Sequence, residues 1–288
     1  MESDARVPLP LGGAGGGVKR LAVLAATLAA SCVRAPPPDL SRDPEALLGQ
    51  VRAAQSRVRS VRGPASVSLE SPRQSGSFDA WLAAEKPERL HIEVLDFFGN
   101  PSLVLVTSDG RFGLLDVSAA VYYRGAATPE NLSRVLPFSL PASELATLLC
   151  GSAPLVDGAA AAAEPEGDAM RLLLAGPEGR ESLAVGEGAA VREATLEPRG
   201  APASFWRVTF GSFEPRGGVP WPAQADFRTA TARVTVHWKR GVEVNPPAGP
   251  SPFSLEPPRG VRVQDLSPGE APRLELPKAP QEKGAPAG

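Results

Sequence analysis

From Ser66 onward the chain alternates apolar and polar residues with a period of two, in one short segment after another. Val67-Ser-Leu69, Phe78-Asp-Ala-Trp-Leu82, Leu90-His-Ile-Glu-Val94, Leu103-Val-Leu-Val106 and Phe112-Gly-Leu-Leu115 are separated by Gly, Pro, Asn and Asp turns. A strand sends successive side chains to opposite faces, so this pattern predicts antiparallel strands joined by short connections. The alternation resumes at Met170–Leu174, Glu181–Val185, Val191–Leu196, Phe205–Phe210 and Ala232–Trp238.

Helical signals precede and interrupt these strands. Asp43-Pro44-Glu45 supplies a capping Asp, a Pro at the first helical position and an acid in the first turn. Leu47, Leu48, Val51, Ala54, Val58 and Val61 follow at three-and-four spacing, which predicts one amphipathic helix. Near Thr128-Pro129-Glu130 helical signals return over Asn131–Leu136 and again over Ser139–Cys150, with Gly151 as the C-cap. Asp157–Asp168, an Ala run between Gly and acidic residues, reads as a solvated loop, with a helical extension as the alternative. Beyond Asn245 prolines become frequent. Pro252–Leu255 and Gly260–Val263 are segments able to dock on the domain, while 266–288 reads as a disordered Pro-rich tail.

Thirty Lys and Arg against 32 Asp and Glu leave a net charge of −2. The signs are evenly mixed, so no basic surface offers affinity for nucleic acid. There are two cysteines. Cys32 ends the apolar run Leu21–Ser31 behind Lys19-Arg20, the layout of an export signal too short to span a bilayer. Leu28-Ala-Ala-Ser-Cys32 resembles the lipobox of bacterial lipoproteins, in which Cys becomes the acylated first residue, although Leu28 stands one position further from the Cys than is usual. A plain cleaved signal and a small buried hydrophobe are the alternatives for Cys32. On the lipidated reading, 1–31 is a signal peptide with an extended leader, 32–42 is a tether stiffened by Pro36-Pro-Pro38, and 43–265 is the folded domain. Cys150 then has no disulfide partner and reads as a packed helical residue.

Residues that carry chemistry are sparse. His91 and His237, the only histidines, sit inside alternating strands on the face opposite the main apolar residues. Solvation or a hydrogen bond is expected there, not a metal or a general base. Gly12-Gly-Ala-Gly-Gly-Gly17 precedes the export signal and has no strand before it, so it does not read as a phosphate loop. Asp96, Asp109 and Asp116 fall at turns, where carboxylates bond the local backbone. The expectation is a protein without catalytic residues, metal or cofactor.

Leu90-His-Ile-Glu-Val-Leu-Asp-Phe-Phe-Gly-Asn-Pro-Ser-Leu-Val-Leu-Val106 resembles the outer-membrane lipoprotein receptor LolB and its relatives, where a strand ends in a short loop of apolar residue plus Gly. The similarity continues through Phe112, Tyr122-Tyr123 and Leu136–Gly151, and returns at Trp206–Gly211 and near Val234. It covers most of 43–245, while the segment around Ala160 and the tail after Asn245 depart from the compact pattern. The resemblance implies an α+β fold, a curved antiparallel sheet forming an unclosed half-barrel, with helices over its concave face. The enclosed apolar cavity would receive acyl chains of lipoproteins or lipids, delivered by a periplasmic LolA-like carrier. By the same resemblance Phe98, immediately before Gly99, occupies the place of the family's loop leucine, and Phe97 enlarges a membrane-insertion loop.

Alternation assigns Ile92, Val94, Leu103, Leu105, Val208, Val234 and Val236 to the cavity wall, with Leu145, Leu148 and Leu149 as its helical cover. A dry, filled core gives the same alternation, and an aromatic pair tucked under a hairpin is the alternative for Phe97 and Phe98. The implied protein is a monomeric lipoprotein, anchored in the outer membrane through Cys32 and facing the periplasm. A non-catalytic envelope scaffold or sensory module of the same fold is the competing reading.

Overall fold

The computed structural model describes residues 35–72, 74–177, 179–200, 205–247, 251–254 and 256–266. The expected signal peptide, the Cys32 lipidation site and the tail beyond 266 lie outside the described residues. Asp43 caps helix α1 (Pro44–Ser56) by accepting from the Ala46 N–H at 2.8 Å, and the helix buries Leu47, Leu48 and Val51. It ends sooner than the three-and-four spacing predicts. Val58 lies in the connection and Val61 on strand β1 (Ser60–Glu70). Val61 is β-branched and its stretch runs into Pro64, which favours extended backbone ahead of it, so the strand claims Val61. The expected tether, 32–42, is also shorter at its inner end: Leu40 is buried, Ser41 N–H donates to Gln50 Oε1 at 2.9 Å and Gln50 Nε2 donates to Asp39 O at 2.8 Å.

After β1 come β2 (Ser75–Glu85), β3 (Arg89–Leu95), β4 (Pro101–Ser108), β5 (Arg111–Asp116) and β6 (Val121–Ala126), each antiparallel to the one before. The short helices α2 (Pro129–Leu132) and α3 (Ala142–Leu149) follow. A second meander runs through β7 (Ala159–Glu166), β8 (Ala169–Ala175), β9 (Gly179–Val185), β10 (Val191–Pro198), β11 (Trp206–Arg216), β12 (Val219–Thr229) and β13 (Arg233–Trp238). The two-residue β14 (Glu243–Val244) pairs with β1, and β15 (Arg262–Asp265) runs parallel to β6. The strand order is β15-β6-β5-β4-β3-β2-β1-β13-β12-β11-β10-β9-β8-β7. Two meanders therefore lie side by side, joined where β1 pairs with β13, and the outermost strands do not meet. The fold is the expected α+β class, an unclosed, mostly antiparallel half-barrel with few helices.

Several elements differ from the sequence expectation. Ala159–Glu166, read as a solvated loop, is the edge strand β7: alanine is a weak strand former, but β8 offers a ladder along its length and Glu45 of α1 accepts from the Ala160 N–H at 3.0 Å. Strand β12 carries Pro220 and Pro222, which hide it from a search for alternation. β13 pairs with it only over Gln224–Arg228, so these prolines give up no ladder bond on that side. The predicted helices are shorter, α2 stopping at Leu132 and α3 starting after Pro141, while Gly151 (φ +72°) ends α3 as expected. On the outer face Phe253 packs against Val104, Val106, Leu115 and Tyr122, and His91 bonds Pro252 O at 2.5 Å and Glu93 at 2.8 Å. Leu266, assigned to the tail from sequence, is buried, and its N–H donates to Arg124 O at 2.8 Å.

Glu181 on β9 is fully buried, flanked in register by Leu174 and Leu196. One carboxyl oxygen accepts from the Val156 N–H at 2.9 Å and the other has no partner. Burial pushes the carboxyl up to about 8, with Glu144 of α3 adding to the rise. The folded chain keeps this proton where an ordinary glutamate, at 4.5, has lost it. Its contribution is therefore complete below about pH 4.5 and is lost as the pH climbs through about 8. Denaturant midpoints across that range should fall by the equivalent of a few kcal/mol, and Glu181→Gln should flatten the profile. A flat wild-type profile would show that the carboxyl is not buried in its acid form.

Candidate functional site

The alternation sets apolar side chains in rows across the inner face of the sheet. Leu82, Ile92 and Leu105 are cross-strand partners on β2, β3 and β4, with Val94 and Leu103 the next pair along. Leu69, Val234, Phe227 and Val208 form a row over β1, β13, β12 and β11, and Phe78, Val67, Val236 and Ala225 form another. Cross-strand partners present their side chains on one face. These thirteen residues make one wall of a cavity of about 120 Å³, closed by seven more from the connection between the two meanders. Leu145, Leu148 and Leu149 come from a single stripe of α3, and Val135, Leu136, Pro137 and Phe138 from the irregular link before it.

The ten residues assigned to wall and cover from sequence, Ile92, Val94, Leu103, Leu105, Val208, Val234, Val236, Leu145, Leu148 and Leu149, all lie on this cavity. Sequence reasoning missed the other ten. Val67, Leu69, Phe78 and Leu82 carry the same alternation and were within its reach. Ala225 and Phe227 went with β12, and Val135–Phe138 have no period to betray them. Phe138 meets Phe227 edge-on with ring centroids 5.1 Å apart, joining cover to sheet, and Trp206 stands behind Phe227 at 6.3 Å. Phe78, Ile92, Leu149, Val234 and Val236 are only half-buried, so this part of the lining is reached from outside.

The β3–β4 wall runs directly into the loop at 96–100. Val94 pairs with Leu103 and Leu95 with Pro101, and the next residues are the turn. Asp96 organises it: its Oδ1 accepts from the N–H groups of Phe98 and Asn100, both at 2.8 Å, and Gly99 takes φ +82°. The Asn100 N–H foremost, with the other turn donors, holds the Asp96 carboxyl below the usual carboxylate range. Phe97 and Phe98 are each 84% exposed, their rings edge to face at 5.6 Å. They are not tucked beneath the hairpin.

None of the twenty lining side chains carries a charge or a hydrogen-bonding group. Such a surface sequesters hydrocarbon; it has nothing with which to hold a metal or move a proton. Among the described residues no cluster of three or more His, Cys, Asp or Glu could hold a metal ion, and no helix is long and apolar enough to cross a membrane. Cys150 lies outside the cavity, its thiol pushed up to about 12 by burial. The Lys86 ammonium, lowered by burial, donates to Gln55 O and Ser152 Oγ, each at 2.9 Å, tying α1 and the exit of α3 to the sheet. His237 is exposed on β13, away from the cavity.

No family profile matches the chain, and no curated protein matches it in sequence. Among solved structures, a DUF1329 family protein from Desulfovibrio piger has a TM-score of 0.53 at 9% identity, over 74% of this chain and 98% of that one. A putative outer membrane lipoprotein-sorting protein domain from Vibrio parahaemolyticus has a TM-score of 0.50 at 7% identity, over 73% and 97%. A LolA superfamily protein from Nitrosomonas europaea has a TM-score of 0.49 at 10% identity, over 70% and 94%. The first two share the fold of this chain.

A charge placed at the accessible side of the cavity should close it to apolar molecules. Leu149→Asp is expected to weaken uptake of an apolar fluorophore about tenfold or more, a change of about 1.4 kcal/mol, with the circular dichroism of the sheet unchanged. Equal uptake by the folded variant would mean that the fluorophore enters elsewhere.

Proposed function

We propose that this chain is a non-catalytic envelope lipoprotein of the LolB kind, anchored in the outer membrane through lipidated Cys32 and facing the periplasm. It takes acyl chains of lipoproteins or lipids into the cavity and helps insert lipoproteins into the membrane. The observation that carries this reading is a wholly apolar cavity whose β3–β4 wall continues into an exposed pair of phenylalanines. Moving hydrocarbon from water into such a site gains about 0.8 kcal/mol per methylene. Phe97 and Phe98 give the protein a membrane-facing tip, and Asp96 and Gly99 fix its backbone. A periplasmic carrier of the LolA kind is the proposed donor, the protein acts as a monomer, and it needs neither cofactor nor nucleic acid. The Vibrio parahaemolyticus neighbour, itself described as a putative lipoprotein-sorting domain, has the same fold.

Phe98→Glu tests the tip. It should impair delivery of lipoproteins to the membrane while acyl binding and folding stay intact; unchanged lipoprotein localisation would remove the loop from the mechanism. The anchor is tested separately by metabolic labelling with a fatty-acid analogue. Label should appear on the wild type and vanish in Cys32→Ser, and label retained in that variant would refute acylation at Cys32.

A further inference from the structure

Val208, Phe227, Val234 and Leu69 face the cavity, so the residues beside them in each strand, Arg207, Arg228, Arg233 and Glu70, face outward. Arg207 pairs in register with Arg228, and Arg228 with Arg233, which sets three guanidinium groups abreast on β11, β12 and β13. Like charges directly opposite one another destabilise a sheet. Each arginine is nevertheless held through its Nε. Arg228 and Arg233 donate to the two carboxyl oxygens of Asp226 at 2.7 and 2.6 Å, and Arg207 donates to Thr195 Oγ1 at 3.1 Å. Among the described residues the terminal N–H groups of the three meet only Glu70, 3.9 Å from Arg233. Asp226 and Glu70 offset two of the three charges, and the row stays positive.

This row stands level with the aromatic loop. Arg233 pairs with Glu70 and Glu70 with Ser75, five positions before Ala80. Ala80 pairs with Val94, and Gly99 lies five positions beyond Val94. β3 and β13 are three strands apart, about 14 Å at about 4.8 Å for each spacing. Val117 belongs to the same end, its N–H donating to Ser102 O at 3.1 Å. Phe97, Phe98 and Val117 are three of the five large apolar side chains exposed among the described residues, so apolar exposure concentrates beside the arginines. The acids of these two loops, Asp96 and Asp116, are bonded within their own turns.

We infer that this end of the half-barrel docks on an anionic phospholipid surface, Phe97, Phe98 and Val117 entering it while Arg207, Arg228 and Arg233 take the headgroup phosphates. This rests on the membrane-facing tip proposed above and names the lipid class that the tip meets. A guanidinium presents a planar fork of donors that matches a phosphate. Here the Nε bonds fix each fork and leave its terminal N–H groups to the anion. A phosphate seated there also relieves the like-charge contact that the row carries without it.

The full chain carrying Cys32→Ser, so that no acyl group holds it, is titrated with vesicles of phosphatidylcholine and of phosphatidylcholine mixed with phosphatidylglycerol. Binding should be tighter to the mixed vesicles, and Arg207→Gln should weaken it there about fivefold, the effect of one arginine near an anionic surface. Arg207 is the residue to change because its loss leaves Asp226 with both of its arginines. Arg89→Gln, at the other end of β3, should leave binding unchanged. Equal affinity for the two vesicles, or equal weakening by Arg207→Gln and Arg89→Gln, would overturn the arginine face. Phe98→Glu keeps that failure apart from failure of the tip. It should weaken binding to both kinds of vesicle, and if it weakens neither, the tip does not enter the membrane.

Discussion

The chain must travel from one end of its strand order to the other, and that passage decides where the helices lie. β6 ends the first meander and β7 begins the second, yet they stand near opposite ends of the sheet with only β15 beyond β6. The second meander then works back until β13 meets β1. The connection, 127–158, carries α2 and α3 across the inner face, where α3 packs on β2 and β3. Routed over the outer face, it would leave the inner rows of Leu, Val and Phe in water, at about 25 cal/mol for each Å² left exposed. The cover over the cavity is thus a consequence of topology as much as of helix propensity.

A cover made this way is thin. α2 has 4 residues and α3 has 8, with an irregular link between them, and together they set seven side chains against thirteen from the sheet. α1, with 13 residues, buries Leu47, Leu48 and Val51 completely. Protein interiors pack to about the density of an organic crystal, and the short cover over this face leaves a cavity instead. Space left unfilled beside apolar side chains forfeits their packing contacts. An apolar occupant recovers those contacts and a polar one does not, so the selectivity of the wall follows from the same shortfall that creates the space.

Much of this was legible in the sequence because burial on one face of a strand writes itself as alternation. Ile92, Val94, Leu103 and Leu105 declare both their strands and their shared face, and Leu145, Leu148 and Leu149 declare a helical stripe. Phe227 was lost because Pro220 and Pro222 break the pattern of β12, and the reason they are tolerated, β13 stopping at Gln224, is tertiary. The Ala run of β7 was lost because its pairing comes from β8 and α1, and alanine itself prefers neither strand nor exposure. Phe138 sits in a segment with no regular structure, where position is fixed by a contact to Phe227 that no local spacing encodes. What the sequence hides in each case is a partner distant along the chain.

The aromatic tip and the cavity are coupled by the geometry of one hairpin. Burying a phenylalanine is worth about 1.5–3 kcal/mol, and Phe97 and Phe98 forgo most of it at 84% exposure. Asp96 fixes the turn backbone that carries them through its two bonds at 2.8 Å. Phe97 stands three positions beyond Val94 on the cavity wall, at most roughly 10 Å away at about 3.3 Å per residue. Apolar groups at a membrane interface settle about 5–10 Å deep. In the proposed role, a tip buried to that depth brings the Val94–Leu103 edge of the cavity level with the headgroups. A chain leaving the cavity then exposes few methylenes to water on its way into the bilayer, and at about 0.8 kcal/mol for each one, that short path is what lowers the barrier to transfer.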